Sequence, residues 1–166
     1  LDVDHTPTEI KKPIRISDES GNLISEGYMR WLKNNALKQK QSEYYSVFLT
    51  LESGDITSSQ LTALATLVRE FSSEGHARAG FVQNIALRYI HEDDLPRLYS
   101  KLLAIGLAKS GALTMAAPVG CSGTTSCNLA LTNSHRLAKE IQRKFLDLKL
   151  DQDDDLRDSS IKISGC

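Results

Sequence analysis

The sequence lacks most of the features that name a function class at once. It has no apolar run long enough to span a bilayer. No basic-then-apolar leader is visible, so no secretory signal is expected, although the chain starts at Leu1 rather than Met. Net charge is nearly absent: 20 Lys and Arg stand against 21 Asp and Glu, leaving −1. That balance gives no reason to expect nucleic acid or a membrane surface as partner. No Ser-His-Asp set, phosphate loop, paired carboxylates or internal repeat stands out. Cysteine is scarce and odd in number, with Cys121, Cys127 and Cys166 alone. An odd count excludes a closed disulfide framework and points to intracellular metal binding or free thiols, hence a cytoplasmic setting.

What is present is the material of an ordinary domain. Of 166 residues, 40% are hydrophobic and 25% charged, enough for one domain or for a small domain plus part of another. Residues 1–40 read as a connecting segment, with Pro7 and Pro13 opposing helix and turn chemistry at residues 18–22. A short helix over residues 27–37 carries Trp31. Lys33, Lys38 and Lys40 read as solvated surface.

Residues 44–51 predict a strand with Tyr45, Val47, Leu49 and Leu51 on one face. Thr57 and Gln60 have capping-box spacing ahead of a helix striped by Leu61, Leu64, Ala65, Val68 and Phe71. Residues 76–90 read as extended, with Ile85, Leu87 and Tyr89 sharing a face. Asp93 or Asp94 caps a second helix, Pro96 suits its first turn, and Leu95, Leu98, Tyr99 and Leu102 form its stripe. Gly106 suits the left-handed position that ends it. The order strand, helix, strand, helix predicts an α+β unit with helices on one face of a sheet.

The character changes after Gly111. Residues 112–119 predict a strand, residues 120–126 a Gly-, Ser- and Thr-rich loop, and residues 128–148 a long helix. That helix shows a stripe of Leu137, Ile141, Phe145 and Leu148 and an i,i+4 pair, Glu140 with Lys144. Residues 151–155 read as a solvated acidic loop. Residues 160–164 predict a short strand running into Gly165 and Cys166.

Cys121 and Cys127 are separated by five residues in a loop leading into a helix. Such a loop lets two thiolates face one centre and brings backbone N–H groups to sulfur, and the helix N-terminus favours thiolate. Soft sulfur donors of this kind suit an iron–sulfur cluster, with Cys166 as a third ligand. The same pair is equally compatible with small inert thiols. Zinc competes, although its structural sites use closer pairs. His135 reads as surface, and His5, His76 and His91 lie near turns without ligand spacing to the loop.

The segment GCSGTTSCNLA, residues 120–130, resembles the first cluster motif of sirohaem-dependent nitrite and sulfite reductases. Ser164-Gly165-Cys166 resembles the opening of their second motif. Upstream, residues 54–61 (GDITSSQL), residues 83–88 (QNIALR) and Asp94-Leu95-Pro96 resemble their ferredoxin-like half-domain.

The resemblance implies a half-domain over residues 41–107 and the N-terminal part of a sirohaem and 4Fe–4S domain over residues 108–166, within the family's C-terminal half. It implies Cys121, Cys127 and Cys166 as cluster ligands, with the fourth expected at position 170. It implies sirohaem contacts from Gln83, Asn84 and Arg78. A threonine frequent in the family is here Gly80. The implied activity of the whole enzyme is six-electron reduction of nitrite to ammonia or sulfite to sulfide, fed by ferredoxin or a flavoprotein. The implied partners are that donor and the remainder of the same polypeptide. No catalytic residue is assigned, and the chain alone is expected to be inactive. Two other readings stay open: a non-enzymatic ferredoxin-like binding module, and a zinc-binding interaction domain.

Overall fold

A computed structural model describes residues 25–156 and 159–166. The turn expected at residues 18–22, the early prolines and His5 lie outside the described residues. Helix α1 (Ser25–Asn35) leads into strand β1 (Ala36–Lys38), then β2 (Tyr44–Thr50), α2 (Ser58–Phe71), β3 (Ala77–Ala79), β4 (Asn84–His91) and α3 (Leu95–Ala104). The strands form one antiparallel sheet in the order β1-β2-β4-β3. The architecture is α+β, as the sequence predicts.

The alternation of β2 turns Tyr45, Val47 and Leu49 into the core, and Leu51 follows them. On α2 the capping box forms in both directions between Thr57 and Gln60. Leu64, Leu67, Val68 and Phe71 are its buried face, while Leu61 stays half-exposed. On α3, Leu95, Leu98, Tyr99 and Leu102 are all buried. Gly106 closes that helix at φ +71°, a left-handed conformation that costs glycine little. Helix α1 belongs to the same core. Trp31 is fully buried and packs against Tyr28 and Tyr99 at ring-centroid distances of 6.1 and 5.2 Å. Burial there pushes the Tyr28 hydroxyl up to about 12.

The face expected for residues 85–89 is corrected by a bulge. Val47 pairs with Leu87 and Tyr45 with Ile90, so two steps on β2 meet three on β4. Tyr89 takes the irregularity at φ +54°. Leu87 and Ile90 therefore both reach the core, and Tyr89 packs edge-on against Tyr44 instead.

The second region differs from its sequence reading in three places. Residues 112–118 form turns, and only β5 (Val119–Gly120) is strand. It pairs in parallel with β6 (Lys162–Ile163). Helix α4 spans Ser134–Asp147, because the Asn133 side chain accepts the Arg136 N–H at 2.9 Å and starts the helix there. Its buried face is Ser134, Ala138 and Gln142, with Leu137 and Leu148 exposed. Glycine backbone presses against that small-residue face, which larger side chains would not allow. Glu140 pairs with Arg143 at 2.8 Å rather than chiefly with Lys144.

The acidic loop is not wholly solvated. Asp151 is buried, its carbonyl accepts from Asn34 Nδ2 at 3.0 Å, and its carboxylate lies 3.9 Å from Arg30. Asn35 links the two regions. Its Nδ2 donates to Phe48 O at 2.8 Å and Lys109 O at 2.9 Å, and its Oδ1 accepts from Gly111 N at 2.9 Å.

Candidate functional site

The parallel β5–β6 pair carries Cys121 and Cys166 just beyond its strand ends. Cys121 N donates to Ile163 O at 3.1 Å. Gly165, the residue before Cys166, donates its N–H to Cys121 Sγ at 3.2 Å. Its carbonyl accepts from Leu131 N at 2.7 Å and Thr132 N at 3.0 Å. Cys127 stands further along the first loop, its N–H donating to Gly123 O at 3.0 Å. All three thiols are free and exposed.

Ser134, in the first turn of α4, is the residue that sequence reasoning missed. It is fully buried, and its Oγ donates to Cys121 O at 2.8 Å and sits 3.0 Å from Cys121 Sγ. The hydroxyl thus meets both the carbonyl and the sulfur of one cysteine. Hydrogen bonding from Ser134, then from the backbone N–H groups of Gly165 and Gly123, lowers the Cys121 thiol below the ordinary cysteine value. The signal in the sequence was the Asn133-Ser134 pair, a helix cap with a small polar residue just inside it.

The loop depends on glycine at Gly123. Its φ is +56°, and a Cβ there would lie 2.7 Å from both Ser134 N and Thr132 O. A Cβ on Gly165 would lie 2.9 Å from Thr132 O and 3.0 Å from Gly123 Cα. The two cysteine-bearing arms therefore touch backbone to backbone.

Gln83 closes the other side. It sits at φ +56° in the turn between β3 and β4. Its Nε2 donates to Gly120 O at 2.7 Å, and its Oε1 accepts Gly120 N–H at 3.2 Å. Asn84 is buried, with neither amide atom hydrogen-bonded. Its carbonyl oxygen fills the space a side chain at position 80 would need, which suits Gly80 there. Arg78 lies exposed on β3 and pairs with Glu74. Phe81, Val82, Leu129 and Leu131 are exposed apolar residues flanking these turns.

The donor chemistry suits a soft metal centre: exposed thiols, one of them lowered below the ordinary cysteine value, with N–H groups aimed at sulfur. The side chains do not converge by themselves, since among the described residues no three His, Cys, Asp or Glu are grouped to hold a metal ion. No helix among the described residues is long and apolar enough to cross a membrane. His135 is tucked against Asp55 at 3.4 Å, and His76 and His91 lie on the sheet side of the chain, away from the thiols in sequence.

Residues 37–105 match the nitrite/sulfite reductase ferredoxin-like half domain. A curated relative, the ferredoxin–nitrite reductase of Synechococcus elongatus, is 30% identical over 141 residues, covering 83% of this chain and 27% of that protein. The chain carries a half-domain of the nitrite/sulfite reductase family. Its fold is shared with two solved structures. The NirA protein of Mycobacterium tuberculosis aligns with TM-score 0.62 at 21% identity, over 80% of this chain and 24% of that one. Dissimilatory sulfite reductase I aligns with TM-score 0.63 at 15% identity, over 81% and 33%. The chain thus spans a quarter to a third of the reductases it matches.

Proposed function

We propose that this chain is the part of a nitrite or sulfite reductase that supplies sulfur ligands to a 4Fe–4S cluster beside sirohaem. The observation that carries the reading is the set of groups around Cys121 Sγ: the Ser134 hydroxyl, the Gly165 N–H and the Gly123 N–H, which lower the thiol below its ordinary value. In this reading Cys121, Cys127 and Cys166 hold iron. Arg78, Gln83 and Asn84 form the half-domain's side of the sirohaem pocket. Arg78 offers an exposed cation to an acidic tetrapyrrole rim, in exchange for Glu74. Gln83 and Asn84 shape the turn that faces the cysteines.

When bound, the coupled pair supplies single-electron transfer and the iron that takes nitrite or sulfite through six-electron reduction. The chain's own residues set the surroundings of the sulfur. Polar groups around Cys121 Sγ favour its thiolate form and raise the potential of iron bound to it. The electron donor is a ferredoxin or flavoprotein, the setting is cytoplasmic, and the remainder of the polypeptide supplies the fourth sulfur and the grip on the anion. The chain alone is therefore inactive.

The test is anaerobic reconstitution, with ferrous iron and sulfide, of the intact reductase polypeptide that carries these residues. Bound iron with labile sulfide is expected, and Cys121→Ser or Cys127→Ser should lose it. A wild-type protein holding neither would overturn the reading, and stoichiometric colourless zinc in their place would favour the zinc-domain alternative.

A further inference from the structure

Gln83 has its amide committed inside the chain. Its donor and acceptor grip the carbonyl and N–H of one residue, Gly120, at 2.7 and 3.2 Å across 37 residues of sequence. Two opposed hydrogen bonds to a single residue fix both its position and its rotation, whereas one bond would leave it free to swing. Gly120 immediately precedes Cys121.

The surroundings are arranged for this grip. Gln83 holds φ +56°, a conformation unfavourable for a residue with a Cβ. Gly54 leaves room for its side chain, since a Cβ there would lie 3.3 Å from Gln83 Cβ. On its far side Gly120 abuts α4, where an added Cβ would lie 3.0 Å from Ala138 Cβ and 3.1 Å from Ser134 O. The strand before Cys121 is thus held between the Gln83 amide and α4. Ser134 at that contact is the residue whose hydroxyl reaches Cys121 O and Sγ.

We infer that Gln83 is a positioning residue for Cys121. It acts through Gly120, setting where β5 ends and so where the Cys121 sulfur stands relative to Ser134 and Gly165. The half-domain thereby orients the thiols. The functional meaning rests on the reading of the cysteines as metal ligands, whereas the grip itself is a property of the chain.

Two substitutions separate the possibilities. Gln83→Gly deletes both hydrogen bonds and relieves the positive φ, so the backbone is not penalised. Gln83→Glu keeps the length and the acceptor but loses the donor. The readouts on the intact chain are amide hydrogen exchange at Gly120 and Cys121, and titration with Cd²⁺ followed by thiolate-to-metal absorption. With Gln83→Gly, exchange at both amides should accelerate, and Cd²⁺ affinity should fall, by about tenfold each. Leu87 and Leu98 amides should be unchanged, and Gln83→Glu should fall between.

Unchanged Gly120 exchange in Gln83→Gly would overturn the inference. So would acceleration shared equally by Leu87 and Leu98, which would mean general loosening. Failure of the wild-type chain to bind Cd²⁺ through its thiols would count against the cysteine reading, and Gly120 exchange would still decide whether Gln83 holds the Cys121 arm.

Discussion

Residues 25–104 and residues 119–166 are held together in opposite ways. The first region buries large apolar side chains: Val47, Leu49, Leu64, Leu87, Ile90 and Leu98 are essentially inaccessible. Each such burial contributes about 1.5–3 kcal/mol. The second buries mostly small residues, Gly120, Gly123, Ser134, Ala138 and Gly165, beside Gln142 and Asp151, and leaves Leu129, Leu131 and Leu148 in solvent. Its order comes from backbone hydrogen bonds and close main-chain contacts. The first region is therefore stable by area, and the second by fit. Losing a methylene harms the first, and adding a methyl harms the second.

The largest expected effect is in the apolar region. Trp31→Ala should cost about 3–5 kcal/mol in urea unfolding of the chain. A cost under about 1 kcal/mol, at the low end for core changes, would mean that α1 is not integral to that core. Next comes the addition of a methyl. Gly123→Ala meets Ser134 N and Thr132 O and must hold a positive φ. It should cost about 1–3 kcal/mol, confined to the cysteine loop. Hydrogen exchange should show faster Cys121 and Cys127 amides with β4 unaffected. Equal loosening of both regions would break the comparison.

A smaller effect returns to the first region. Thr57→Ala removes one half of the capping box and should cost about 1 kcal/mol, read from the same unfolding curves. The smallest lies at the joint. Asp55, exposed in the loop before α2, meets Lys139 of α4 at 2.8 Å. The Lys139 ammonium holds the Asp55 carboxyl below the usual aspartate range. A carboxyl lowered on folding adds stability above its unfolded value and loses that contribution as pH falls through the folded one. Because the pair is solvated, Asp55→Asn should cost only about 0.2–1 kcal/mol at neutral pH. The gap between variant and wild type should close as pH drops below about 3.9. A gap that persists in acid would show that shape, and not charge, joins the regions.

The legibility of the sequence follows the same divide. Where large apolar residues recur at period two or near 3.6, side-chain faces could be read directly. The buried sets of β2 and α3 and the Thr57–Gln60 box are where the pattern places them. Periodicity gives no warning of a bulge, so Tyr89 was assigned to the wrong face of β4. It also misleads on α4, where the apolar stripe exists but Gly120 packs against Ala138 instead. Contacts made by absent side chains leave no hydrophobic signal. The cysteine spacing is visible as a motif and Asn133-Ser134 as a helix start, but the Ser134–Cys121 contact and the Gln83–Gly120 grip join residues far apart in sequence, and local patterns carry no information about such pairings.

The pairing of β5 with β6 has a consequence for the order of folding. Val119 and Lys162 are partners, as are Gly120 and Ile163, each pair 43 residues apart and only two residues long. The loop-closure cost grows slowly with length, but so short a ladder returns little against it until α4 and Gly165 are also in place. The half-domain sheet also joins residues far apart, from Thr50–Asn84 to Tyr44–His91, but its longer ladder closes over a large apolar core and can form first. The Gly165 N–H then meets Cys121 Sγ in the last step, after the half-domain core is in place. In pulse-labelled refolding, protection at Cys121 N should follow protection at Leu87 N. A metal offered early would meet thiols still unassembled.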